Sequence, residues 1–258
     1  MNILLLGGNG ALGPWVVKAL EDRHALRVTD VNEAPADFRH DYIQLDASDL
    51  DGVLRAAEGM DLIVNLSVLR QDRKIAFDVN TRGNYNMMLA AREHGIARVI
   101  TTGPHFQLVG PQYEYWDYDL NPDMPAAPGT RLYALSKSLG GEICRVFSEQ
   151  YGIEVLTMLF YNMRHPDTLR VRNSSGPRRD VGPHSDFTPF TVAWPDGGEA
   201  IRCAVEVESA KLPSRCETFF VFADLPHRRF RNDKTRHILG WRPRYQLEAM
   251  WNKPWKVD

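Results

Sequence analysis

Tyr133 and Lys137 lie four residues apart at the start of a predicted helix, a spacing that puts both on one helix face about 5–6 Å apart. An ammonium held beside a phenol favours the phenolate and lowers a pKa that is otherwise ~10. The pair therefore has the chemistry of a proton acceptor working near neutral pH, and the same ammonium can bind ribose hydroxyls. Tyr-x-x-x-Lys also arises by chance on solvated helix faces. Its position gives it weight here: it falls two elements after a strand ending in Thr101-Thr102, in a chain that opens on a glycine-rich turn.

That turn is Gly7-Gly8-Asn9-Gly10-Ala11-Leu12-Gly13, between an apolar strand and a helix. Gly7 permits the tight turn, Gly10 lets the backbone approach a pyrophosphate, and Gly13 lets helix and strand pack closely. The helix N-terminus offers unpaired N–H groups and a partial positive charge to phosphates. The alternative is a plain glycine-rich β–α turn. Asp30 ends the second strand, near the ~20-residue distance at which an acid meets ribose hydroxyls. A carboxylate there accepts from a 2′-hydroxyl and repels a 2′-phosphate, which favours NAD over NADP; the competing reading is a capping or loop aspartate. Asp46 has two readings of equal standing, an acceptor for the adenine amino group or a turn residue.

The elements that must position these groups alternate in the manner of βαβ units and a parallel sheet. Strands are expected at 2–6, 25–29, 42–45, 62–66, 97–102, 154–160 and 218–222, and helices at 12–23, 49–58, 75–94, 132–150, 200–208 and 233–239. Residues 103–131, rich in Pro, Tyr and Asp, read as a long ordered loop of the kind that borders a site. Residues 170–185, rich in Gly, Pro and Arg, read as a lid or insertion. The expectation is an α/β fold: one doubly wound, Rossmann-type domain over 1–258, dinucleotide-binding to about residue 160, with a smaller interleaved substrate-binding part after it.

A length of 258 residues with 43% hydrophobic and 25% charged residues suits one large globular α/β domain. A net charge of -2 gives no reason to expect nucleic acid or an anionic membrane as partner. Arg228, Arg229 and Arg231 are countered by Asp224 and Asp233 and read as a solvated face. No apolar run approaches the ~20 residues of a membrane span, and Ile3 to Leu6 is too short for a signal-peptide core. Cys144, Cys203 and Cys216, odd in number and in apolar surroundings, suit buried thiols in a reducing cytoplasm. The eight histidines lack paired ligand spacing, so no metal is expected.

Taken together, these motifs resemble the extended short-chain dehydrogenase/reductases, and within them the NAD-dependent epimerase/dehydratase family. Gly7-x-x-Gly10-x-x-Gly13 is similar to that family's cofactor turn. Asn65-Leu66-Ser67 stands where the family ends its fourth strand, and Asp78-Val79-Asn80-Thr81-Arg82-Gly83 resembles the segment that places a helix asparagine behind the active site. Tyr133 and Lys137 match the catalytic pair. Asn162 and Pro166 resemble residues after the sixth strand, Asp196 resembles an aspartate before a later helix, and Leu239-Gly240-Trp241-Arg242-Pro243 is close to a C-terminal family pattern. The resemblance covers about residues 1–250. Within the family, Tyr133-Ala-Leu-Ser-Lys137-Ser-Leu-Gly-Gly-Glu142, the chain length and the pairing of Thr102 with His105 are similar to uronate dehydrogenases. Three positions depart from the pattern: Gly103 stands where a second or third Ser/Thr is usual, Leu159 and Phe160 replace an Arg, and His165 replaces a Gly.

The resemblance implies an NAD-dependent oxidoreductase acting on a sugar or sugar acid. Tyr133 would take the substrate proton, Thr102 hold the substrate oxygen, Lys137 tune the phenol, and Asn80 support a water relay. Asn9, Ala11, Leu12, Asp30, Asp46, Ala47, Leu66, Ser67 and Tyr161 would join the glycines and the catalytic pair around NAD. Ser67, His105, Asn162 and Arg164 would face the substrate. Two rival expectations are an epimerase or dehydratase that recycles NAD internally, and a non-catalytic NAD-binding sensor or scaffold. The short C-terminal half counts against a nucleotide-sugar substrate. The resemblance further implies a homodimer paired through helices 75–94 and 132–150.

Overall fold

The computed structural model describes residues 1–109, 120–166, 191–223 and 231–245. Seven strands form one parallel sheet: β1 (Asn2–Leu6), β2 (Ala25–Asp30), β3 (Asp41–Gln44), β4 (Leu62–Asn65), β5 (Arg98–Pro104), β6 (Glu154–Phe160) and, after a short β7–β8 pair (Met163–Arg164 with Val192–Ala193), β9 (Cys216–Val221). Their order is β3-β2-β1-β4-β5-β6-β9, so the chain reverses its direction of winding between β1 and β4. In open sheets of this kind ligands bind beyond the carboxyl ends of the strands at that point.

The strand period of two sorts side chains onto the two faces. Ile3 and Leu5 of β1 join α1 (Gly13–Leu20) and α7 (Trp194–Glu206) on one side. Leu4 and Leu6 join α2 (Leu50–Ala57) and α4 (Gly83–Glu93) on the other. A third cluster, with Leu108, Leu120, Leu159 and Phe220, lies where α5 (Phe106–Val109) meets the sheet. Both faces of the central strands are covered, which is why they read as unbroken apolar runs.

Strand β6 and the last helix, α8 (Asp233–Leu239), have the expected bounds, and most other elements differ by a few residues. The predicted helix 75–94 is three pieces in sequence: α3 (Arg73–Phe77), a π-helical turn (Asp78–Arg82) and α4. Helix α7 begins at Trp194, ahead of the expected residue 200. Pro195 falls in its first turn, where a missing N–H costs nothing. A Cβ on Gly198 would stand 2.4 Å from the Trp15 carbonyl oxygen, so the glycine exists to let α7 lie against α1. Buried Asp196 then ties the C-terminal pattern down: its carboxylate accepts from the Arg244 and Tyr245 N–H groups, and its carbonyl from the Trp241 indole.

Arg98, buried at the opposite end of the sheet, closes α7. It donates to the Glu154 carboxylate at 2.7 Å and to the carbonyls of Ala204, Val205 and Val207. All three cysteines are free thiols, and among the described residues no helix is long and apolar enough to cross a membrane. Arg231 pairs with Asp233 at the surface, as expected. The expected lid at 170–185, together with Asp224, Arg228 and Arg229, lies outside the described residues.

Candidate active site

The turn after β1 is built for close approach. Gly7 has a left-handed φ of 73°, and a Cβ there would meet the Ser67 backbone at 2.6 Å. A Cβ on Gly13 would meet the Gly8 carbonyl oxygen at 1.8 Å, so α1 can begin at this point only with glycine. Asp30 is buried and anchors the turn from β2: its Oδ2 accepts the Asn9 N–H at 3.1 Å, and its Oδ1 accepts both N–H groups of Asn32. It caps no helix. Asp46 accepts the Ser48 N–H at 2.8 Å from an exposed position, a contact that belongs to its turn reading. The Ala47 carbonyl receives the Asn86 amide.

A cavity of about 710 Å³ runs from this turn across the carboxyl ends of β4, β5 and β6. Gly7, Gly10, Ala11, Leu12 and Gly13 wall one end. Leu66, Thr102 and Tyr133 form the middle, and Tyr161, Asn162 and Arg164 the far side. The expected cofactor and substrate ends of the site thus share one space. A glycine cradle with no room for side chains, an open helix N-terminus and an anchored carboxylate on β2 together fit a dinucleotide.

Lys137 lies beneath the cavity wall. It is buried, and its Nζ donates to the Ser67 and Thr102 carbonyls, each at 2.9 Å. Burial draws its pKa down to about 7. Burial raises the Tyr133 phenol above its ordinary value, and the charge opposing that rise is Arg70. The cation that lowers the phenol pKa here is Arg70, while Lys137 directs two of its protons to the Ser67 and Thr102 carbonyls. Thr102 is buried, with its hydroxyl donating to the Asn65 carbonyl at 3.0 Å.

Three expected site residues are engaged within the protein. Asn80, fully buried in the π-turn, binds the backbone of Leu69 through both ends of its amide and donates to the Ser136 hydroxyl at 3.0 Å, so it braces the loop after β4 against α6 (Leu132–Tyr151). Ser67 turns its hydroxyl inward to the Asn65 side chain, and the cavity is lined by its neighbours Leu66 and Val68. His105 is 1% exposed, its ring stacked edge-on against Tyr161, Phe106 and Phe222, and burial lowers its pKa to about 3. It is a neutral core residue, set apart from the cavity lining.

The space that a serine at position 103 would need is filled. A Cβ on Gly103 would lie 1.7 Å from the Gln107 Oε1, itself buried with no hydrogen-bond partner among the described residues. Sequence reasoning missed Arg70, Phe106 and Trp194, all in the cavity wall. Phe106 packs edge-on against the Tyr133 ring at 5.6 Å. Nothing local marks these residues, since only the tertiary fold brings them together.

The profile of the NAD dependent epimerase/dehydratase family matches residues 3–176. A uronate dehydrogenase of Pseudomonas syringae pv. tomato is 31% identical over 161 residues, a stretch covering 60% of this chain and 57% of that protein. The match thus spans little more than half of that relative's length. Among solved structures, a uronate dehydrogenase variant from Agrobacterium tumefaciens complexed with NAD superposes with a TM-score of 0.75 at 22% identity, covering 96% of this chain and 86% of the other. A UDP-glucose 4-epimerase from Thermotoga maritima with UDP-glucose gives a TM-score of 0.73 at 15% identity, covering 97% and 98%. Both structural likenesses speak to the fold.

Proposed function

The chain belongs to the NAD dependent epimerase/dehydratase family, and from that premise we propose that it is an NAD-dependent oxidoreductase acting on a hydroxyl or carbonyl of a sugar acid or sugar. One observation carries the reading: the glycine turn and the Tyr133 ring are walls of the same cavity. NAD, when bound, supplies the hydride acceptor. The chain's own residues do the rest. The turn and Asp30 hold the dinucleotide, and the Asp30 carboxylate selects a free 2′-hydroxyl. The Thr102 hydroxyl, which donates to the Asn65 carbonyl in this structure, turns to donate to the oxygen of a substrate hydroxyl and leaves that hydroxyl's own proton free. Tyr133 takes the proton from that hydroxyl. Asn162 and Arg164 meet the remaining polar groups, and Arg164 gives an acid substrate its counter-charge.

Kinship with a uronate dehydrogenase supports an acid sugar ahead of a nucleotide sugar. Chain length does not separate the two, because an epimerase with UDP-glucose superposes over 98% of its chain. The test is a panel of uronates, aldoses and polyols with NAD, followed by absorbance of the reduced cofactor. Net reduction with a uronate is expected. A nucleotide sugar converted with no accumulated reduced cofactor would instead indicate internal recycling.

We further propose a homodimer in a reducing compartment such as the cytoplasm. Ile75, Phe77, Tyr85, Leu139, Val146 and Tyr151 are large apolar side chains left exposed, all on the two helical segments expected to pair. Burying them is the favourable term. Light scattering at twice the chain mass is the expected result. Because β9 continues the sheet beside β6 and α7 packs on α1, we treat the chain as one domain whose part after residue 160 supplies the substrate side.

A further inference from the structure

Arg70 projects from the loop after β4 into the cavity, with its guanidinium carbon 5.3 Å from the centroid of the Tyr133 ring. No carboxylate pairs with it among the described residues. Its charged neighbour is a second cation, Lys137, whose charge it disfavours. The Arg70 side chain is exposed, yet its guanidinium lies over the Tyr133 ring, and the backbone just before it is held. The residue before it, Leu69, is bound through both its N–H and its carbonyl by Asn80, and the same Asn80 amide donates to Ser136, one turn along the helix that carries Tyr133. A single buried side chain therefore sets the distance between the Arg70 loop and the phenol. A cation without a counter-ion, fixed against a phenol, is the arrangement that receives a negative charge when that phenol gives up its proton.

We infer that Arg70 is a functional residue of the site, supplying the positive charge that stabilises the Tyr133 phenolate, with Asn80 as the residue that positions it. The inference rests on the proposed role of Tyr133 as proton acceptor. Lys137 is poorly placed to do this alone, since its ammonium donates to the Ser67 and Thr102 carbonyls. Among the described residues, the other groups near the phenol are these. Strand β5 offers Thr102, Gly103 and Pro104, and α5 offers Phe106, with His105 beside it neutral through burial. On α3 and the π-turn, Lys74 and Arg82 are both bound to Asp78, and Asp72 caps α3. Arg164 reaches the same cavity from β7 on its far side.

The test reads the phenol directly. Phenolate absorbance is followed as pH is raised in the presence of NAD, each protein being measured against its own Tyr133→Phe counterpart. Arg70→Met and Arg70→Gln should move the Tyr133 midpoint upward by about one pH unit, the low end for an opposite charge at this range because Arg70 is solvent-exposed. Arg70→Lys, which keeps the charge, should recover most of that shift. The acid limb of the pH–rate profile should move the same way with acid and neutral sugars alike. A midpoint within ~0.3 of the parent's in both neutral variants overturns the inference, including the case where only the KM for acid sugars rises and Arg70 is a carboxylate clamp. The titration needs no turnover. A parent protein that reduces NAD with no sugar would defeat the proposed function while leaving this midpoint to be read.

Discussion

Replacing Lys137 with methionine tests how the site carries its buried charge. The lysine is 2% exposed, and its pKa falls from 10.5 to about 7 because burial disfavours the ammonium. Unfolded, the side chain keeps its proton to its ordinary value; folded, it loses it near neutrality. Between those pH values unfolding takes up a proton, so stability rises with pH across the window. At ~1.4 kcal/mol for each tenfold in proton affinity, the full gap corresponds to about 5 kcal/mol, of which about 2 kcal/mol is recovered between about pH 7 and about pH 9. A neutral amine still has two N–H groups, as many as the Ser67 and Thr102 carbonyls require. Methionine fills similar volume, binds no proton and leaves both carbonyls unpaired, at a cost of ~1–3 kcal/mol each. Urea unfolding of both proteins without NAD, at a series of pH values, separates these terms. The parent should gain on the variant by about 2 kcal/mol from about pH 7 to about pH 9. Parallel stability profiles for the two proteins would refute the reasoning.

Three further outcomes follow from particular contacts. Gly103→Ser should cost about 1–2 kcal/mol by urea unfolding and lower turnover, because the new side chain must evict the Gln107 carboxamide; adding Gln107→Ala should return at least half of the loss, whereas strictly additive effects would mean the two positions do not compete. Gly198→Ala forces a Cβ to 2.4 Å from the Trp15 carbonyl, and since backbone cannot swing aside, a loss of roughly 2–4 kcal/mol is expected in thermal unfolding. Asp30→Ala removes the acceptor for the Asn9 N–H and the charge that repels a 2′-phosphate, so fluorescence titration should show NAD binding weakened about tenfold and the preference over NADP reduced.

Much of the fold was legible because the central strands are buried on both faces and read as apolar runs, while turn residues bound them. Helix α7 was read short because Gly197 and Gly198 lower helix propensity; their use, with Gly198 letting α1 approach and Gly197 making room for the Met163 side chain, is a tertiary fact. The π-turn was hidden for a similar reason, since its sequence is that of an ordinary helix. At the site, the glycine turn, Tyr133, Asn162 and Arg164 were readable from type and position, and the cavity contains them all. His105 was placed on the substrate side by its spacing from Thr102, and that spacing carries no sign of the Tyr161, Phe106 and Phe222 rings that bury it. Lys137 was placed beside the phenol by helix spacing and position, which could not reveal the two nearby carbonyls that take its protons. Arg70 carried no signal in the sequence, for its position depends on an amide 10 residues further along, Asn80, gripping Leu69.

The central claim is that the Tyr133 hydroxyl takes the substrate proton in a cavity where the glycine turn holds NAD. The direct measurement is reduced-cofactor formation by Tyr133→Phe with the substrate found for the parent, alongside NAD affinity by titration. Turnover should fall on the order of 10³-fold, as for loss of a positioned proton acceptor, with NAD affinity within about twofold of the parent. Undiminished turnover in that variant would contradict the account.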